Sequence, residues 1–215
     1  IEAREHQVLP APARNLLGES LAATVLLSAS LKFSGTLTLQ LGGSEGPVSM
    51  LVAQATDLRT LRGVVHLAEG RDLQDQDFDA LVRGGRLVVS VEQGGGTPAW
   101  QGIVPLGGGS LARCLEDYFA TSEQLPTAIL LAADEYCAAG LLLQKLPAPA
   151  QQGEADAATA QDVWEEAIAL LSTLRPSELL SMGPEELLGS LFGTRDVRLF
   201  DDEAVRFACR CDRAR

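Results

Sequence analysis

Between Ala13 and Leu31 the apolar positions Leu17, Leu21, Val25 and Ala29 recur every four residues, and Leu16, Ala22, Ala23, Leu26 and Leu27 widen the stripe. That spacing predicts a buried central helix entered after Pro10 and Pro12. The period then halves. From Gly35 onward Leu37, Leu39 and Leu41 alternate with Thr36, Thr38 and Gln40, the pattern of a strand with one buried face. Further strands are predicted over Val48–Ala55, Arg62–Ala68, Arg86–Val91, Gln101–Leu106, Ala128–Ala133 and Gly140–Leu146, most of them bounded by glycine, proline or acidic clusters. Two helices interrupt them, Gln74–Val82 and Ser110–Ser122. In the second, Ser110 is the N-cap and Leu111, Cys114, Leu115, Tyr118 and Phe119 share one face. The order is that of an α+β fold, a mixed or antiparallel sheet with packed helices, not of repeated βαβ units.

After Pro147-Ala148-Pro149 the polar run 151–156 reads as a linker. Beyond it Val163, Ala167, Leu170 and Leu171 line one helical face, Ser177–Leu180 forms a second helix, and Pro184 opens a third over Glu185–Phe192. These helices are short and Leu-rich on a narrow face, so they must dock on the preceding domain and form the least stable part of the molecule. A short strand is predicted at Val197–Phe200. The resulting division is a core over residues 1–150, a helical linker domain over 151–206, and the beginning of a further domain at 207–215.

Charge narrows the class of partner. The chain of 215 residues carries a net charge of −12, and residues 151–206 hold twelve acidic against four basic side chains. No basic stripe of the kind phosphate binding needs is present, which argues against nucleic acid and anionic membrane surfaces. The most apolar stretch, Leu16 to Leu31, contains Glu19 and is bounded by Arg14 and Lys32, too short for a membrane span or signal peptide, so a cytoplasmic address is expected. Ile1 at the start and the abrupt end after the cysteines suggest part of a longer polypeptide.

Most motifs dissolve on inspection. Gly42-Gly43-Ser44-Glu45-Gly46 fits a nucleophile elbow, but Pro47 and the strand-like Val48–Val52 follow where a helix is required, so a hairpin loop is the better reading. His66 lies in a strand-like run and reads as structural, and His6 stands alone. The glycines at 94–96 and 107–109 read as loops. Glu116 and Asp117, adjacent on a helix and so about 100° apart, read as a solvated face rather than an acid–base pair. The acidic runs at 75–79 and 201–203 are assigned to solvent. Cys114 and Cys137, in apolar surroundings, read as buried thiols.

Cys209-Arg210-Cys211 is different. Two cysteines one residue apart supply half of a tetrahedral zinc site, so a second pair is expected beyond Arg215. Arg210 and Arg213 favour thiolate, and thereby both metal binding and oxidation.

Five segments in order carry a resemblance: Leu31–Leu41, Leu61-Arg62-Gly63-Val64, Cys114–Thr127 (CLEDYFATSEQLPT), Ala138–Gln144 and Phe207–Cys211. Together they resemble the bacterial redox-regulated holdase chaperones of the heat shock protein 33 family. The resemblance implies a folded core, a metastable helical linker and a C-terminal zinc domain in which Cys209 and Cys211 are metal ligands and take part in a redox-active disulfide. It further implies zinc as cofactor, unfolded client proteins as partners, a homodimeric active form, and no catalytic residue. Two readings from other classes stand beside it: a thiol-disulfide oxidoreductase turning over Cys209 and Cys211, and a zinc-stabilised protein-binding module.

Overall fold

The computed structural model describes residues 9–31, 33–43, 45–70, 73, 76–93, 98–146 and 154–208, with residues 98, 99 and 154–157 described by their backbone alone. Helix α1 (Ala11–Ser30) is followed by strands β1 (Thr36–Gly42), β2 (Val48–Thr56) and β3 (Thr60–Leu67), a one-turn helix α2 (Phe78–Leu81), and strands β4 (Arg86–Glu92) and β5 (Pro98–Pro105). Helix α3 (Leu111–Tyr118) continues as a π-helical turn, Phe119–Glu123. Strands β6 (Thr127–Ala133) and β7 (Ala138–Gln144) precede α4 (Glu154–Leu171), α5 (Pro176–Ser181), α6 (Pro184–Phe192) and β8 (Arg206–Phe207).

One sheet has the order β5-β4-β1-β2-β3-β8, and β6 and β7 form a separate antiparallel hairpin. All neighbours in the larger sheet are antiparallel except β3 and β8. Leu37, Leu39 and Leu41 are fully buried, as the alternation requires. Helix α1 lies between the sheet and the hairpin, touching β2 and β3 on one side and β6 and β7 on the other. A helix covered on both sides must be apolar nearly all round, which is why the predicted stripe is so wide. The hydroxyls it buries are satisfied within it: Ser20 Oγ donates to the Leu16 carbonyl at 2.7 Å and Thr24 Oγ1 to that of Ser20 at 2.6 Å. Gly63 lets β3 approach α1 closely, since a Cβ there would stand 2.9 Å from Leu21 Cδ2 and 3.0 Å from Leu17 Cδ1.

Two expectations are corrected. The helix expected from Gln74 is only α2, because the Asp77 carboxylate accepts from the Ala80 N–H at 2.8 Å and so caps the chain three residues later. Val197–Phe200 forms no strand; Leu199 and Phe200 are exposed and no sheet edge is offered to them. Among the described residues no strand pairs with this segment, and backbone without a ladder partner is not a strand. Conversely β8, two residues long, was too short to register in any periodicity. Among the described residues no helix is long and apolar enough to cross a membrane.

Candidate functional site

The hairpin β6–β7 is apolar on both faces, and each face has its own cover. Ile129 and Leu131 point into the main core with α1 and α3, whereas Ala128, Ala132 and Leu141 join a second cluster with Leu171, Leu179, Leu187 and Leu191. The near-continuous apolar run Ala128–Ala133 follows from that double burial. The second cover is supplied by the short helices: α5 packs against both β6 and β7, and α6 packs against α4. Pro176 and Pro184 open α5 and α6, and the Arg175 N–H donates to the Glu178 carboxylate at 2.8 Å at the start of α5. An exposed ion pair, Arg195 with Glu166, ties the turn after α6 to α4 and contributes at most about 1 kcal/mol.

The docked layer is thin. Among the described residues its cluster buries seven side chains where the main core buries twenty-five. A helix of six residues and one of nine have no stability of their own in water, so undocking and unfolding of α5 and α6 are one event.

Two thiols lie near this layer or beneath it. Cys114 is buried in α3, and burial pushes its thiol up from the ordinary range. Cys137, expected to be buried, is only half so: it sits at the β6–β7 turn, where its thiol donates to the Leu180 carbonyl of α5 at 3.7 Å. Glu116 also departs from its expected role. Its carboxylate accepts from the Ile129 N–H at 2.8 Å and from Arg113 Nη1 at 3.2 Å, so it fastens the edge of β6 to α3 instead of facing solvent. No period marks such a residue; its partner is thirteen residues away and is chosen by tertiary packing. His66 is exposed on β3, and its carbonyl accepts from Ser49 Oγ at 3.0 Å.

Cys209 and Cys211, the candidate metal and redox residues, lie outside the described residues. What leads up to them is described. The Arg206 N–H donates to the Arg59 carbonyl and the Ala208 N–H to that of Leu61, both at 3.0 Å, which is the parallel pairing of β8 with β3. Glu203 forms an ion pair with Arg59, and Phe207 packs against the main core. The chain is thus held on the sheet edge up to the residue before Cys209. Next to it a cavity of about 840 Å³ opens between α1, the start of β7 and Val205–Phe207, with Cys137 in its wall. Among the described residues no group of three or more His, Cys, Asp and Glu side chains could hold a metal ion.

The profile of the family described as Hsp33 protein matches residues 1–215. The 33 kDa chaperonin of Nitrosococcus oceani is 46% identical over 206 residues, covering 96% of this chain and 67% of that protein. That of Neisseria meningitidis is 40% identical over 208 residues, covering 96% and 66%. The crystal structure of the 33 kDa chaperonin from Thermotoga maritima superposes with a TM-score of 0.77 at 28% identity, over 99% of this chain and 73% of that one. The fold therefore recurs in a solved relative, and the chain belongs to the Hsp33 family of chaperones.

Proposed function

We propose that this chain is the core and linker of a redox-switched holdase, which binds unfolding proteins on apolar surface that α4–α6 cover in the resting state. The observation that carries the reading is the pairing of a doubly apolar hairpin with a layer of marginal helices on one of its faces. Undocking would expose Ala128, Leu130, Ala132, Leu141 and Leu143 of the hairpin together with the leucines of the layer. A contiguous apolar surface of that kind is what an unfolded polypeptide offers in return.

In this reading residues 1–150 are the core, 151–206 the linker, and 207–215 the beginning of the switch domain, with β8 straddling the last division. Cys209 and Cys211 would supply two thiolate ligands to a zinc ion, which, completed by a further cysteine pair, would lend its binding free energy to folding of that domain. Oxidation removes the ligands. A thiolate attacks a peroxide oxygen, the O–O bond breaks and hydroxide leaves. A neighbouring thiol then attacks the sulfenic sulfur, water departs, and a disulfide remains. The switch domain would then lose its metal-derived stability, and β8 and the linker would lose the support it lends them. Clients bind the surface so freed, in a homodimer, with no catalytic turnover; the address is the bacterial cytoplasm.

Light scattering from an unfolding client tests this with the full-length protein, either reduced and zinc-loaded or peroxide-treated. Suppression only after oxidation is expected. Equal suppression in both states refutes the switch, and none in either refutes the holdase.

A further inference from the structure

A second concavity lies away from the docked helices, at the C-terminal end of α1. It encloses about 360 Å³, a size typical of small-ligand sites. Leu27, Phe33, Val91, Trp100, Tyr118 and Phe119 supply its walls, and Glu123 stands exposed at its mouth. Among the described residues, none of α4, α5 or α6 lines it.

Its chemistry is specific. Trp100 and Phe119 each meet Tyr118 edge to face, with centroids 6.1 and 5.8 Å away and both interplanar angles 71°. The Tyr118 hydroxyl donates to Glu123 Oε1 at 2.9 Å. On a regular α-helix two side chains five positions apart diverge by about 140°, so they meet only because Phe119–Glu123 is a π-helical turn. That turn aims a carboxylate at a box of aromatic rings. Burial, reinforced by the hydrogen bond and charge of Glu123, holds the Tyr118 phenol well above its ordinary range, so the ring stays neutral. Among the described residues no cation pairs with Glu123.

We propose that this pocket binds a basic side chain, arginine or lysine, of an extended polypeptide. An apolar stem with a charged head is the side-chain shape that fits apolar walls closed by an acid. The aromatic lining, of which Trp100 is the exposed member, favours a cation over a neutral group, and the net charge of −12 draws cationic segments toward the surface. A purely apolar occupant would cover Glu123 without compensating its charge. The inference rests on the chaperone reading in taking the occupant to be a polypeptide. Because no described residue of the linker helices lines the pocket, its occupancy should not depend on oxidation.

The test is fluorescence anisotropy of a short labelled peptide carrying one arginine, compared with the same peptide carrying citrulline, on reduced and oxidised full-length protein. The arginine peptide should bind about tenfold tighter in both states. Glu123→Gln, which keeps an acceptor for Tyr118, should erase the preference, Trp100→Leu should weaken the arginine peptide several-fold, and Glu165→Gln on α4 should change nothing. Equal affinities, no binding, or a preference that survives Glu123→Gln overturns the proposal, as does a preference lost equally with Glu165→Gln. Client suppression measured alongside separates the readings: its absence with arginine preference intact sinks the holdase and leaves the pocket.

Discussion

Leu179 is the side chain through which the docked layer is most directly testable. It is 5% exposed, lies on α5, and belongs to the cluster shared with Ala128, Ala132 and Leu141 of the hairpin. Leu179→Ala removes buried methyl groups and leaves a void, which costs about 2–5 kcal/mol at buried leucines. The lower end applies, because a thin layer at the surface can settle into the gap, so about 2.8 kcal/mol is a fair figure. Since α5 has no stability apart from its contacts, that loss falls on docking and raises the undocked population roughly a hundredfold. Amide hydrogen exchange reads this directly. Protection over 176–192 should drop by about that factor while β1 and β2 keep theirs, and the reduced full-length protein should begin to suppress client aggregation without oxidant. Leu39→Ala, fully buried in the main sheet, should instead lower global stability and lift exchange everywhere. If Leu179→Ala left exchange over α5 and α6 unchanged, or accelerated β1 and β2 equally, the layer would not be a separate unfolding unit and the argument for a linker switch would fail.

Two further predictions concern the core. Glu19, on α1, is pushed up to about 7 from 4.5 by burial. Between those values the unfolded chain gives up its proton while the folded one keeps it, so stability falls as the pH rises through the window and is flat above it. Glu19→Gln should therefore raise the unfolding free energy by roughly 3 kcal/mol at about pH 8 and change little at about pH 4; a gain of equal size at both would refute the assignment. Glu116→Ala strips the Ile129 N–H of its acceptor and should cost about 1–3 kcal/mol in urea denaturation. A loss near zero would mean that water replaces the carboxylate at the β6 edge.

The sequence by itself determined the classes of element and most of their positions, because apolar spacing reports which face of each segment is buried, whatever lies against that face. The breadth of the stripe on α1, the alternation of β1, the capping serine of α3 and the proline that opens α6 are local signals, and the structure repeats them. The ordered segments from Leu31 to Cys211 carried the family, which the comparisons bear out. Only the tertiary structure decided what covers what. That β6–β7 divides its two apolar faces between core and linker, that Glu116 leaves solvent for the Ile129 N–H, and that Arg206–Phe207 closes the sheet edge all depend on partners distant in the chain. So does the meeting of Tyr118 with Glu123, where a single π turn overrides the helical period by which a sequence is read. Periodicity records that a residue is buried; which distant group it is buried against is fixed only when the whole chain packs.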